Sequence, residues 1–401
     1  MMQQTARATR ESAPDGTEHF EARLRDVTAA AAKHAAAVDS AARFPAEAFE
    51  LIKAQRLLGI MVPVELGGEG ADFGAVADIC YQLGQACSST AMIYAMHQVK
   101  VACLVRHGLK SPAIAALLRR LAAEELLLAS STTEGLAGGN IRASEAPVVC
   151  SGGRFTLERR ATCISYGAAA DGIVTTARRT ADAPASDQVL VAVLKSDYTL
   201  TPLQGWDTFG MRGTCSDGYL LKVDAHQDYI LPVPYEKIHA HTMVPSAHLF
   251  WGSVWAGIAA NATSRAQAFV RHAARHGGGQ LPPGAAHFTR AFSMLGSLRG
   301  RLAAALAHFE RVRDDESALG ALDFQSMIAL TKVEVSDLAA AIVLETMRAC
   351  GLSGYRNDTE FSIGRLLRDV LSSPIMVSND RIISNLSAPT LMTAIPRTLY
   401  A

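Results

Sequence analysis

Apolar positions recur at helical spacing through most of the first 125 residues, which predicts a helical opening unit. Glu21 to Ala42 (EARLRDVTAAAAKHAAAVDSAA) predicts a long Ala-rich helix that halts near Phe44-Pro45. Pro45 suits the start of a second helix, in which Phe49, Ile52, Leu57 and Leu58 recur at helical intervals. Val62 to Asp72 contains Pro63 and three glycines and predicts a loop. Helical patterning then resumes through ADICYQLGQACSSTAMIYAMHQVKVACLVRHG and PAIAALLRRLAAEELLLAS.

The middle of the chain changes texture. VVCSGGRFTLERR, DGIVTTARR, QVLVAVLK and GYLLKVD are short β-branched runs bounded by Gly, Pro, Asp and Ser. Charges interrupt them on one side, which predicts antiparallel strands with one solvated face. After LPVPYEKI, helical spacing returns from about Ser246 to His276. It continues in LGSLRGRLAAALAHFERVRDD, FQSMIALTKVEVSDLAAAIVLETMRACG and GRLLRDVLSSPIMVSNDRIISN, four segments suited to an antiparallel bundle. The expected organisation is a disordered tail over 1–16, a helical domain over 17–125, a β-domain over 126–232 and a four-helix bundle over 233–401. The fold class is α+β, mainly α.

Apolar residues make up 49% of the 401 and charged residues 19%, too core-rich for a disordered chain. Lys+Arg and Asp+Glu balance at 38 each, so no electrostatic footprint points to nucleic acid. No apolar run is long enough to cross a bilayer, and the polar first twenty residues lack a secretory h-region. The seven scattered cysteines form no C-x-x-C, so reduced thiols and a cytoplasmic location are expected. His272 and His276 have metal-ligand spacing without an acidic third ligand, and read as surface histidines. Trp206, Trp251 and Trp255 read as packing residues.

Five local patterns then occur in one order. The first is Phe44-Pro45 with Gly59-Ile60, Val62-Pro63, Glu65, Gly67-Gly68, Gly70 and Asp72. The second is Thr133-Glu134-Gly135-Leu136-Ala137-Gly138-Gly139-Asn140, and the third Ile164-Ser165 with Ala170-Asp171. The fourth is Gly210-Met211-Arg212-Gly213-Thr214-Cys215-Ser216, and the fifth Arg368-Asp369. From about Glu18 to Thr393 the chain resembles the acyl-CoA dehydrogenase family of flavoproteins. The resemblance implies FAD between the β-domain and the C-terminal bundle, and an acyl thioester of CoA or of an acyl-carrier protein as substrate. It also implies a homotetramer or homodimer, with an electron-transfer flavoprotein as acceptor.

The same resemblance assigns candidate cofactor residues. Thr132, Thr133 and Ser165 fall where the family presents hydroxyls and amides to the flavin ring, whose electronics such partners tune. Gly138 and Gly139 would let the backbone approach the pyrophosphate. Cys163 stands where many relatives carry a tryptophan beside the ring. Arg275 occupies the slot of an arginine that reaches a neighbour's FAD, and its planar donor fork suits a diphosphate. Gly351 to Gly354 match a turn against the neighbour's adenosine, with Arg348 in place of the family's glutamine.

Dehydrogenation needs a base to remove the α-proton while the flavin takes the β-hydrogen. The family's glutamate slot, nine residues after Arg368, holds Val377. The alternative slot on the first bundle helix holds Ala247, beside His248. Asp380, three residues beyond Val377, is one substitute base. His97, on a helix whose family counterpart borders the acyl pocket, is another. A histidine there with Ser165 near the flavin also fits relatives that became monooxygenases using reduced flavin and O2. Dehydrogenation of a thioester is the expected reaction, monooxygenation the alternative, and a non-catalytic flavoprotein a third reading.

Overall fold

The Ala-rich periodicity yields α1 (Gly16–Ser40), whose stripe of Leu24, Val27, Ala31, Ala35 and Val38 is buried. In this computed structural model the described residues are 16–134, 143–395 and 397–398. The tail expected over 1–16 therefore lies outside them up to residue 15, and Gly16 already begins α1. Helix α2 (Ala46–Ala54) follows Pro45, and Leu57 and Leu58 lie buried just past its end. Asp72 closes the expected loop by capping α3 (Phe73–Ala86), accepting from the Ala75 amide at 2.8 Å. Helix α4 (Ser88–Gly108) is buried on every side from Ser88 to Leu104, its polar His97, Gln98 and Lys100 included. Ser111 and Pro112 start α5 (Pro112–Glu124).

Glu125 adopts φ 52 and ends α5, so the apolar run after it leaves the helix as β1 (Leu128–Ser131). This corrects the helical reading of LLLAS, which continues the pattern of the 13-residue α5 without a break in sequence. Then come β2 (Val149–Ser151), β3 (Arg154–Ala161), β4 (Gly172–Arg178), β5 (Gln188–Leu194), β6 (Tyr198–Gln204) and β7 (Gly218–His226). They form two sheets, ordered β1-β4-β5 and β2-β3-β7-β6. β1 runs parallel to β4, with Leu128 opposite Gly172, while the other strand pairs are antiparallel as expected. β3 alternates buried and exposed, but β4 and β5 are buried on both faces, against the expectation of one wet face. Helix α4 and the short helix Tyr235–Ile238 pack on this sheet, and its strands are apolar runs rather than alternating ones.

The rear of the chain begins with α6 (Tyr235–Ile238) and a π turn (His239–Met243), then α7 (Val244–His276), α8 (Ala285–Val312), α9 (Glu316–Gly320) and α10 (Leu322–Tyr355). The last expected helix divides into α11 (Gly364–Val370) and α12 (Asn379–Met392). Pro374 and Val377, the latter at φ 29, interrupt it, which corrects the single-segment reading. α10 itself bends at Gly351, whose φ of 53 and ψ of −133 only a residue without Cβ adopts readily.

All three regions meet at Arg368-Asp369. The Arg368 guanidinium pairs with Asp39 of α1 (Nη1 to Oδ1, 3.0 Å) and donates to the Phe209 carbonyl at 2.8 Å. Asp369, buried, accepts from the Met211 amide at 2.8 Å. Gly210 lies so close that a Cβ would sit 2.1 Å from the Arg368 carbonyl oxygen. Arg368→Ala is expected to lower unfolding stability by about 2 kcal/mol, because charge-assisted bonds to two elements are lost together. Urea denaturation checks this, and an unchanged midpoint would show that the junction contributes nothing.

Candidate functional site

The loops after β1 and β3 and the turn before β7 carry a line of hydroxyls. Thr132 and Thr133, half-buried, follow β1, and Ser165 and Cys163, also half-buried, follow β3. Thr133 Oγ1 lies 3.6 Å from Cys163 Sγ, so the second and third sequence patterns converge. Ser165 Oγ is 2.7 Å from Ser216 Oγ, which is 2.8 Å from Thr214 Oγ1. Thr214 donates its one proton to the Met211 carbonyl at 2.8 Å. A hydroxyl has a single proton. Ser216 must therefore donate to Thr214, and Ser165 to Ser216. Ser165 is left presenting lone pairs, an acceptor for whatever N–H faces it.

The hydroxyls of Thr132, Thr133 and Ser165 are neutral and half-buried, with Ser216 and Thr214 buried behind them, a set that suits the polar edge of a planar heterocycle such as isoalloxazine. Gly138 and Gly139 lie outside the described residues. Arg275 is exposed in the last turn of α7, its neighbours His272 and His276 in contact with ring centroids 4.2 Å apart and planes tilted by 35°. Among the described residues no group of three potential ligands could hold a metal. Gly351 is exposed at the kink of α10 and Gly354 buried beneath it, while Arg348 pairs with Glu345 at 2.9 Å. These are distant in sequence from the hydroxyl line, and among the described residues they make no hydrogen bond to it.

The base candidates have distinct settings. His97 is fully buried, with Nε2 2.9 Å from the Leu58 carbonyl and Nδ1 accepting from the Leu128 amide at 3.0 Å. That pattern fixes the neutral Nε2–H tautomer and leaves neither nitrogen free. Burial depresses its pKa to about 4. Asp380 is exposed in the first turn of α12, with a helix N-terminus at its back. Ala247 and His248 are both buried, and burial lowers His248 to about 3. Trp255 is fully buried and Trp251 half-buried on α7, and Trp206 Nε1 donates to the Met211 carbonyl at 3.1 Å.

Sequence reading passed over Lys332 on α10. Its side chain is completely buried, and its ammonium donates to the Ser373 carbonyl at 2.9 Å, to Asn379 Oδ1 at 2.6 Å and to the Val377 carbonyl. Asn379 in turn donates to Ser336 Oγ at 2.9 Å and Asp337 Oδ1 at 2.8 Å. The position where the resemblance places a glutamate is thus an apolar side chain on a loop pinned by a cation. A lysine in an apolar helical stripe has no sequence signature; only the acceptors brought by a distant loop give it a role.

No helix among the described residues is long and apolar enough to cross a membrane. Residues 14–125 match the model of the acyl-CoA dehydrogenase N-terminal domain. The cyclohex-1-ene-1-carbonyl-CoA dehydrogenase of Syntrophus aciditrophicus (strain SB) is 25% identical over 374 residues, 90% of this chain and 86% of that one. The fold superposes on the nitrososynthase of Micromonospora carbonacea var. africana with TM-score 0.80 and 23% identity, covering 96% and 99% of the two chains. It also superposes on dibenzothiophene monooxygenase from Paenibacillus sp. A11-2, with TM-score 0.78, 17% identity and coverage of 95% and 100%. That monooxygenase has been solved with FMN bound.

Two outcomes are expected. Lys332→Met strands three buried acceptors and should cost about 3 kcal/mol, with faster amide exchange over 373–379; unaltered exchange there would contradict the pinned loop. His97 prefers its neutral form when folded, with a value near 4 against an ordinary 6.5. The unfolded chain therefore protonates first as pH falls. Stability present above pH 6.5 is lost towards pH 4, and His97→Asn should flatten that decline in denaturation midpoints.

Proposed function

We propose that this chain, which belongs to the acyl-CoA dehydrogenase family of flavoproteins, is an oxygen-using monooxygenase that works with reduced flavin. The observation carrying the reading is the direction of the Ser165–Ser216–Thr214 relay, which leaves Ser165 an acceptor. By resemblance Ser165 faces flavin N5, which bears a proton in the reduced ring and none in the oxidised ring. An acceptor there favours the reduced form. The two glutamate slots agree with this: Val377 and Ala247 supply no base, and oxygenation of a heteroatom or aromatic substrate needs no α-proton removed.

When bound, the flavin would supply the two electrons that activate O2. Thr132, Thr133 and Ser165 would hold its polar edge, and Cys163 would leave one side of the ring more open than a tryptophan does. The pinned Val377 loop and buried α4 and α7 would keep water from the ring, protecting the activated oxygen from unproductive decay. FMN is the proposed nucleotide, because the dibenzothiophene monooxygenase that shares the fold was solved with it. FAD, the earlier expectation, would use Arg275 and the Gly351–Gly354 turn through a second subunit, in a homodimer or homotetramer.

Dehydrogenation of an acyl thioester is the second reading, favoured by the 25% identity to a CoA-thioester dehydrogenase over 90% of this chain. Asp380 or His97 would then have to reach the substrate α-carbon, with an electron-transfer flavoprotein as acceptor. An anaerobic titration separates the two. A panel of acyl-CoA thioesters is expected to leave the oxidised flavin band unbleached, while protein supplied with reduced FMN consumes O2; bleaching by a thioester would reverse the order of the readings. Reduced FMN should also bind more tightly than oxidised FMN. In Ser216→Ala the Ser165 proton is freed, and the ratio of the two dissociation constants should shrink by about tenfold, roughly one hydrogen bond. An unchanged ratio would remove the relay from the account.

A further inference from the structure

A second polar cluster lies where α4, β3, α6 and the π turn converge. Lys100 is 3% exposed and Arg159 1%. The Lys100 ammonium has a thioether for its neighbour, Met243 Sδ at 3.7 Å, and the same sulfur receives the Tyr235 hydroxyl at 3.3 Å. Arg159 uses Nη1 alone: on Glu134 Oε1 at 3.0 Å, on Thr176 Oγ1 at 3.0 Å and on the Thr176 carbonyl. Its Nε and Nη2 are buried without a partner. Glu134 is also engaged by Ser144 Oγ at 2.8 Å and the Glu145 amide at 2.7 Å. The stretch 135–142 that follows Glu134 in the chain contains no acidic residue.

Glu134 pairs with Arg159 alone, and the contact of Lys100 is a thioether, so two buried cations stand against one carboxylate, and uncompensated buried charge is costly. Burial, and then Arg159, bring Lys100 down to about 8, which leaves the ammonium protonated at neutral pH. Nε and Nη2 form the side-on face of a guanidinium, whose spacing matches the two oxygens of a carboxylate. A single negative charge completes the balance, whereas a phosphate dianion would exceed it. Met243 stands four residues before Ala247, and Lys100 three after His97. The cluster thus adjoins both helices that would wall the substrate chamber.

We propose that Lys100 and Arg159 form a receptor for a carboxylate, and that the substrate carries one at the end remote from the flavin. The assignment rests on reading the space between α4 and α7 as the substrate chamber of a flavoenzyme. Acetate, benzoate and cyclohexanecarboxylate, each paired with its amide, are the probes, titrated calorimetrically into FMN-loaded and flavin-free protein. At least one acid is expected to bind tenfold or more tightly than its amide. Lys100→Met should erase that preference, and so should Arg159→Lys, which keeps a cation for Glu134 but loses the fork. Amide binding should survive both changes. Equal affinity for acid and amide throughout, or a preference untouched by both substitutions, would overturn the receptor. Carboxylate preference in protein that takes up no flavin would sink the flavoenzyme reading and leave the receptor standing.

Discussion

The junction of the three regions is tied by one ion pair reaching across the whole chain. Arg368, close to the C-terminus, grips Asp39 on the first helix and the carbonyl of Phe209 in the β-domain. Asp369 beside it holds the Met211 amide. Neither contact spans more than 3.0 Å, and Gly210 has no Cβ because none would fit. The three regions already share one continuous apolar core, and these polar contacts fix their junction. Met211 is also the terminus of the hydroxyl relay, so the same peptide segment that locks the domains orients the proton on Ser165. Domain geometry and the chemistry of the edge are a single construction.

The opposite wall is built on a different principle. A buried ammonium is stable only when its three protons are satisfied, and Lys332 meets that requirement with carbonyl and amide oxygens of the loop after α11. The loop is consequently pinned at three oxygens, and no carboxylate stands between Ser372 and Ser378. In a dehydrogenase the corresponding segment must present a base; here the segment presents a methyl-rich surface. Lys100 is the contrasting case, since its proton-accepting neighbour is only a thioether.

Much of this was legible in the sequence. Periodicity located α1, α2, α3, α4, α7, α8 and α10, and the short β-branched runs located β2, β3, β4, β5 and β7. β1 was hidden because LLLAS continues a helical pattern, and only the positive φ at Glu125 ends it. β6 was missed because Thr-rich YTLTPLQ carries a proline, and the break between α11 and α12 because Pro374 sits within an otherwise periodic run. The hydroxyl positions came from motif order rather than from pattern. What no motif conveyed was direction: which hydroxyl donates depends on a carbonyl several residues away. Buried lysines were equally invisible, since Lys100 and Lys332 interrupt apolar helices with nothing nearby in sequence to pair with them.

Lys332 also sits 5.5 Å above the ring of Trp255, itself wholly enclosed. A positive charge so close to an indole shifts the energy of its excited state, and the size of that shift follows the distance between them. The loop that replaces the catalytic segment therefore carries its own optical gauge: any event that pulls Val377 and Asn379 away from the ammonium is written into the colour of one tryptophan's emission.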